Sequence, residues 1–148
     1  MINGFTCGAF DLCHAGHMLM FKECRAQCDY LIVALQEDPS VTDAEYRGKK
    51  KNKPIMSLEE RLIILEGIKY IDEIVFYKTE EDLLALLRKL DIGVRFLGAD
   101  WEGKEFTGHD LDMKVVFNSR DHGFSTSELR HRVHLAEQER LTEMVIQV

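Results

Sequence analysis

The chain has 148 residues, 45% hydrophobic and 30% charged, which fits one globular domain with a core of its own. A formal net charge of -7 argues against general nucleic-acid binding, and no apolar run is long enough to span a bilayer. No charged segment followed by an apolar one opens the chain, so a cytoplasmic protein is expected, with Cys7, Cys13, Cys24 and Cys28 read as small reduced core residues.

Ile2 to Cys7 reads as a strand, and from Gly16 onward Met18, Leu19, Phe21 and Cys24 recur at helical spacing. The segment between them, Gly8 to His17, is predicted to be a phosphate-handling turn. A helix N-terminus offers unpaired N–H groups and the positive end of the dipole, and Gly8 and Gly16 let the backbone approach a ligand closely. His14 and His17, three residues apart at the mouth of that helix, can each donate an N–H to one phosphate. A zinc pair or two surface histidines would show the same spacing. Zinc would need a third ligand, and neither the other histidines nor the cysteines supply a standard ligand spacing, so no metal ligands are assigned.

Asp29 to Gln36 is a continuous apolar run, the pattern of a strand buried on both faces of a parallel sheet, and it completes a βαβ unit. Asp38 follows at the C-terminal end of this strand, where open α/β sheets bind ligands; contact with the substrate or with a metal on the one hand and a turn cap on the other are equally good readings. The segment from 38 to 56 is polar and carries Arg47, Lys49, Lys50, Lys51 and Lys53. It is expected to be an irregular loop, either solvated or closing over anionic substrates as a lid. Ser57 and Glu60 form a capping box that opens a helix to Ile68, and Arg61 in its first turn opposes the dipole and so should serve a specific partner.

Ile71 to Tyr77 is a third strand, Thr79 to about Leu90 a helix, Val94 to Leu97 a fourth strand and Met113 to Phe117 a fifth. After the fourth strand, Gly98 to Lys104 holds the chain's one tryptophan, Trp101, which either lines a base or packs on the protein. Ser119 to Leu129 leads into a last helix. The hydroxyls of Ser125 and Thr126, the free helix N–H groups and Arg120 make a second anion site there. His131 and His134 read as surface residues. Residues 1–137 are expected to form the working domain and 138–148 a tail that docks on it or contributes to a dimer.

The decamer Gly8 to His17 matches the pattern G-x-F-D-x-x-H-x-G-H. It resembles the signature of the cytidylyltransferase-like nucleotidyltransferases, and among them the glycerol-3-phosphate cytidylyltransferases. Further along, Lys69 to Ile74 resembles the family's R-Y-V-D-E-V, Gly98 to Lys104 its G-D-D-W-E-G-K, and Arg120 to Thr126 its R-T-x-G-I-S-T. The similarity runs from about residue 4 to about 130. Departures are Ala15 where tryptophan is frequent, Lys69 for arginine, Ala99 for aspartate and Asp121 for threonine. Lysine at 69 lacks the guanidinium fork.

Five strands alternating with helices predict an α/β protein with a doubly wound parallel sheet, and the resemblance implies the same Rossmann-like fold of the H-x-G-H nucleotidyltransferase type. It also implies that Gly8, Ala9, Phe10, Asp11, His14, Gly16 and His17 form the triphosphate turn. Arg120, Gly123, Phe124, Ser125 and Thr126 would bind the outer phosphates and departing pyrophosphate, with Asp100 near the nucleotide. Asp38, Lys51 or Lys53, and Arg61 would meet the acceptor, and Lys53 would join His14, His17 and Arg120 in catalysis. The implied reaction is cytidylyl transfer from CTP to a phosphorylated small alcohol, glycerol 3-phosphate first, with magnesium, in a homodimer. The acceptor phosphate is already anionic, so no general base is required. An adenylyltransferase using ATP with a sugar phosphate, nucleotide or flavin precursor is the second reading, and an inactive nucleotide-binding module the third.

Overall fold

The structure is a computed structural model that describes residues 1–42, 45–46 and 49–146. Arg47 and Gly48 of the basic segment, and Gln147 and Val148, lie outside the described residues.

Strands β1 (Asn3–Gly8), β2 (Tyr30–Gln36), β5 (Glu73–Tyr77), β6 (Val94–Gly98) and β7 (Val115–Asn118) form one five-stranded sheet in the order β5-β2-β1-β6-β7. All its pairings are parallel, with β1 and β2 in register from Asn3 opposite Tyr30 to Gly8 opposite Leu35. Numbered among themselves these strands run 3-2-1-4-5, so the order reverses between β1 and β6. That reversal opens a crevice at the C-terminal strand ends. The expected Rossmann-like α/β fold is the one observed.

Both faces of the sheet are covered, which is why β2 is apolar along its length: Leu31, Val33 and Leu35 enter one core cluster, Ile32 and Ala34 the other. Helices α1 (Ala15–Arg25) and α3 (Leu58–Glu66) contribute Phe21, Cys24 and Leu65 to the first cluster. Helix α4 (Glu80–Lys89) supplies Leu83 and Leu87 to the second. The capping box at Ser57 is present, and Thr79 with Asp82 makes another before α4.

Three segments differ from expectation. Between 38 and 53 the chain carries regular pieces, a helical turn α2 (Pro39–Thr42) and a short antiparallel pair, β3 (Glu45–Tyr46) with β4 (Lys49–Lys50). Asp38 accounts for the first: its Oδ1 accepts the Ser40 N–H at 3.0 Å and the Ser40 hydroxyl at 2.6 Å, and proline is well suited to a first helical position. Ala99–Trp101 forms a 3-10 turn after β6. Finally, α5 (Thr126–Ile146) continues without a break through residue 137 and buries none of its residues.

Candidate active site

The turn after β1 is held open by backbone that side chains rarely adopt: Phe10 and Leu12 have φ of 50° and 49°. Packing stabilises it. Phe10 is 8% exposed and its ring lies 5.2 Å from that of Phe21 and edge-on to His17. Asp11, 9% exposed, accepts the N–H groups of Ile55 and Met56 at 2.8 and 2.9 Å and an Arg130 Nη2–H at 3.3 Å. Its carboxylate therefore ties the turn to the start of α3 and to α5.

Arg61 is also turned inward. Only 2% exposed, it donates from Nη1 to the carbonyls of Ala9 (3.0 Å) and Gln36 (2.6 Å), from Nε to Met56 (3.2 Å), and from Nη2 to Glu37. Sequence reasoning gave this arginine a phosphate on the acceptor. The structure gives it main-chain carbonyls from the ends of β1 and β2, a fork holding two strand ends at a fixed separation. The reason is positional, because α3 packs across those ends and carries residue 61 beneath them.

The histidines make the helix cap themselves. His14 is the N-cap of α1: its Nδ1 accepts the Gly16 N–H at 3.0 Å, while His17 Nδ1 accepts the His14 N–H at 3.1 Å. In neutral imidazole the nitrogen that accepts leaves the proton on the other, so both residues are Nε2–H donors. His14 Nε2 lies 3.1 Å from Thr126 Oγ1. His122 repeats the device, its Nδ1 accepting the Phe124 N–H at 3.1 Å and its ring stacking on Phe124. Gly16 makes this crowding possible: a Cβ there would stand 2.9 Å from carbons of both His14 and His122.

Burial, and then the neighbouring His122, hold His14 below the ordinary histidine range. His17 is pushed down to about 4, by burial first and His14 second, with Asp11 opposing. The pair is therefore neutral at pH 7 and presents oriented N–H donors with no positive charge of its own. The charge comes from Arg120, whose Nη1 is 3.0 Å from both carboxylate oxygens of Asp100. Both partners are about half exposed.

His14, Gly16, His17, Arg120, Phe124, Ser125 and Thr126 all border one cavity of about 240 Å³ between α1 and the ends of β1, β6 and β7. A second cavity, about 540 Å³, adjoins it at Thr126 and is lined by Ala9, Phe10 and Asp11 together with Asn52, Arg130 and His134. Asp38, Lys51, Lys53 and Arg61 border neither. Lys51 Nζ is 3.6 Å from Glu80 Oε1. The Ser125 hydroxyl caps α5 by accepting the Glu128 N–H at 3.1 Å. Gly123 is exposed, with open space where a Cβ would stand. Two lining residues that sequence reasoning passed over are His122 and Asn118. A histidine directly before the glycine of the 120–126 segment was the available signal for the first; only the fold brings Asn118 beside α1.

Among the described residues no group of three or more His, Cys, Asp or Glu could hold a metal ion, and no helix is long and apolar enough to cross a membrane.

The cytidylyltransferase-like family model matches residues 5–132. The chain is 34% identical over 128 residues to a glycerol-3-phosphate cytidylyltransferase of Bacillus subtilis, covering 86% of this chain and 94% of that protein. It is 37% identical over 129 residues to a bifunctional protein HldE of Wolinella succinogenes, but spans only 26% of that relative's length. Among solved structures, the lipopolysaccharide core biosynthesis protein of Thermoplasma volcanium shares the fold, with a TM-score of 0.66, 24% identity and coverage of 82% of this chain and 99% of that one.

Proposed function

Since the chain belongs to the cytidylyltransferase-like family and is a nucleotidyltransferase, we propose that it transfers the cytidylyl group of CTP to a phosphorylated small alcohol, with glycerol 3-phosphate as the leading acceptor. Support for the finer reading is the 34% identity over 128 residues to a glycerol-3-phosphate cytidylyltransferase, together with the resemblance of Gly98 to Lys104 and Arg120 to Thr126 to the motifs of those enzymes. The observation that carries the chemistry is the pair of neutral Nε2–H donors, His14 and His17, beside the Thr126 hydroxyl.

An oxygen of the acceptor phosphate attacks the α-phosphorus of CTP, the bond from that phosphorus to the bridging oxygen breaks, and pyrophosphate leaves with the electron pair. Charge grows on the α-phosphate oxygens as the phosphorus becomes five-coordinate. His14 and His17, already oriented by the backbone N–H groups they accept, donate to those oxygens without reorganising. Thr126 gives up its contact with His14 to a phosphate oxygen, Ser125 and the α5 N-terminus receive the outer phosphates, and Arg120 leaves Asp100 to offset charge on the pyrophosphate. Lys51 or Lys53 meets the acceptor phosphate. Asp11 and Arg61 act as positioning residues that keep the turn in shape.

Asp11 is committed to backbone N–H groups and Arg130, and among the described residues no cluster of three or more His, Cys, Asp or Glu could hold a metal ion. Magnesium is accordingly proposed as part of the nucleotide substrate, ligated by phosphate oxygens, where it neutralises part of their charge. We further propose a cytoplasmic homodimer, in which residues 1–137 act as the transferase domain and 138–148 contribute to docking. Exposed Phe76 on the edge strand β5, exposed Ile63 on α3, and exposed Leu141, Met144, Val145 and Ile146 on α5 are the surfaces it would cover.

The test is pyrophosphate release with magnesium, crossing CTP and ATP against glycerol 3-phosphate, other phosphorylated alcohols and sugar phosphates. Release with CTP and glycerol 3-phosphate is expected. Release with ATP alone would replace this reading with adenylyl transfer, and nucleotide binding without release across the panel would replace it with a binding module.

A further inference from the structure

The floor of the 240 Å³ cavity carries a buried amide. Asn118 ends β7, is 6% exposed, and borders the cavity with Met20 and Ser119. Helix α1 holds this strand end twice. Glu23 Oε1 accepts the Ser119 N–H at 2.9 Å, and the fully buried Cys24 thiol lies 3.6 Å from Asn118 Oδ1. Burial pushes the Cys24 thiol up to about 12, so it keeps its proton. Met20 Sδ stands at the same 3.6 Å, but a thioether is a far weaker acceptor than an amide oxygen. With Oδ1 taken by the S–H, the amide presents its two Nδ2 hydrogens, which no acceptor among the described residues engages.

We propose that Asn118 determines base specificity: its amide N–H pair reads the edge of a pyrimidine that offers two adjacent acceptors, as cytosine does through O2 and N3. This rests on reading the cavity as the nucleotide site. The other bases fit a donor pair less well. Adenine sets one ring acceptor beside an amino donor, guanine has one carbonyl beside two donors on its Watson–Crick edge and its adjacent acceptors O6 and N7 only on the opposite edge of a larger bicyclic ring, and uracil separates its carbonyls by an N–H. A site that opposes donor to donor discriminates strongly, because a buried N–H is left unpaired. Cys24 is the positioning residue, acting only through the amide it orients.

The experiment measures binding of CTP, UTP, ATP and GTP by calorimetry, and pyrophosphate release where an acceptor is found, for wild type, Asn118→Asp, Asn118→Ala and two Cys24 variants. Wild type should bind CTP at least tenfold more tightly than ATP. Asn118→Asp, which turns the donor pair into an acceptor, should remove most of that ratio, chiefly through CTP affinity and KM with kcat at saturation little changed. Asn118→Ala should do the same while retaining the wild-type melting temperature within a few degrees. Cys24→Ser, still a donor, should keep the ratio, and Cys24→Val should lower it. An unchanged CTP-to-ATP ratio in the Asn118→Ala protein, or no preference for CTP in wild type, overturns the proposal. Failure of the cytidylyl-transfer reading looks different: selective CTP binding that depends on Asn118, with no acceptor supporting release.

Discussion

His14 Nε2 lies 3.1 Å from Thr126 Oγ1, joining residues 112 positions apart across the mouth of one cavity. The contact links the N-terminus of α1 to that of α5, so two helix ends that each favour anions converge on the same space. His14 therefore has an observed role, helix cap through Nδ1, and a proposed one, phosphate donor through Nε2, and they are separable.

His14→Asn should separate them. Asparagine is a good N-cap, so the melting temperature should stay near wild type, while His14→Ala should cost about 1 kcal/mol of stability. Both should lower turnover about a hundredfold or more, by the measure of removing one oxyanion donor. Pyrophosphate release and thermal melts on the two variants check this; a His14→Asn enzyme with near wild-type turnover would remove Nε2 from the mechanism.

Stability should depend on pH through His17. Its pKa falls from 6.5 in the unfolded chain to about 4 in the folded one, so the unfolded state binds the proton first. The stabilisation is complete above pH 6.5 and is lost as pH falls toward 4, with a limiting slope of about 1.4 kcal/mol per unit. Urea titrations at pH 7.5 and pH 5 should show the drop, and His17→Asn should flatten it.

Arg61→Met should destabilise the fold strongly. The change leaves the carbonyls of Ala9, Gln36, Glu37 and Met56 without the donor they share, at about 1–3 kcal/mol for each group left buried. The midpoint of urea unfolding is the readout. A variant of wild-type stability with a raised KM for the acceptor alone would return Arg61 to the acceptor site.

Gly16→Ala should impair activity more than folding. The added methyl would stand 2.9 Å from ring carbons of His14 and His122, and side chains can move where backbone cannot. Turnover should fall at least tenfold through displaced imidazoles, with a melting temperature changed by only a few degrees.

Asp100→Asn should leave stability within about 0.5 kcal/mol, since the pair it breaks is exposed. Arg120→Ala should be equally mild for the fold but should reduce turnover strongly. If Arg120→Ala retains wild-type rates, the arginine belongs to the surface and not to the leaving pyrophosphate.

Local pattern was enough to determine much of this protein. The strands and most helices were legible because the two-residue and 3.6-residue periodicities, the capping boxes and the glycine punctuation are written in neighbouring residues. The decamer Gly8 to His17 and the Arg120 to Thr126 segment were legible for the same reason, since each is contiguous. The two-residue strands β3 and β4 were not, because they carry too few residues for periodicity to register.

What only the tertiary structure decided is which partners the polar side chains of these motifs meet. Asp11 and Arg61 sit in or beside the right motifs, yet both are turned toward backbone because the end of β2 and the start of α3 close over the turn. Asn118 and Cys24 are 94 positions apart and carry no local signal; α1 packing against β7 makes them neighbours. Local propensity specifies what an element is, but the direction of a polar group depends on which unsatisfied partner the fold brings within hydrogen-bonding reach of it.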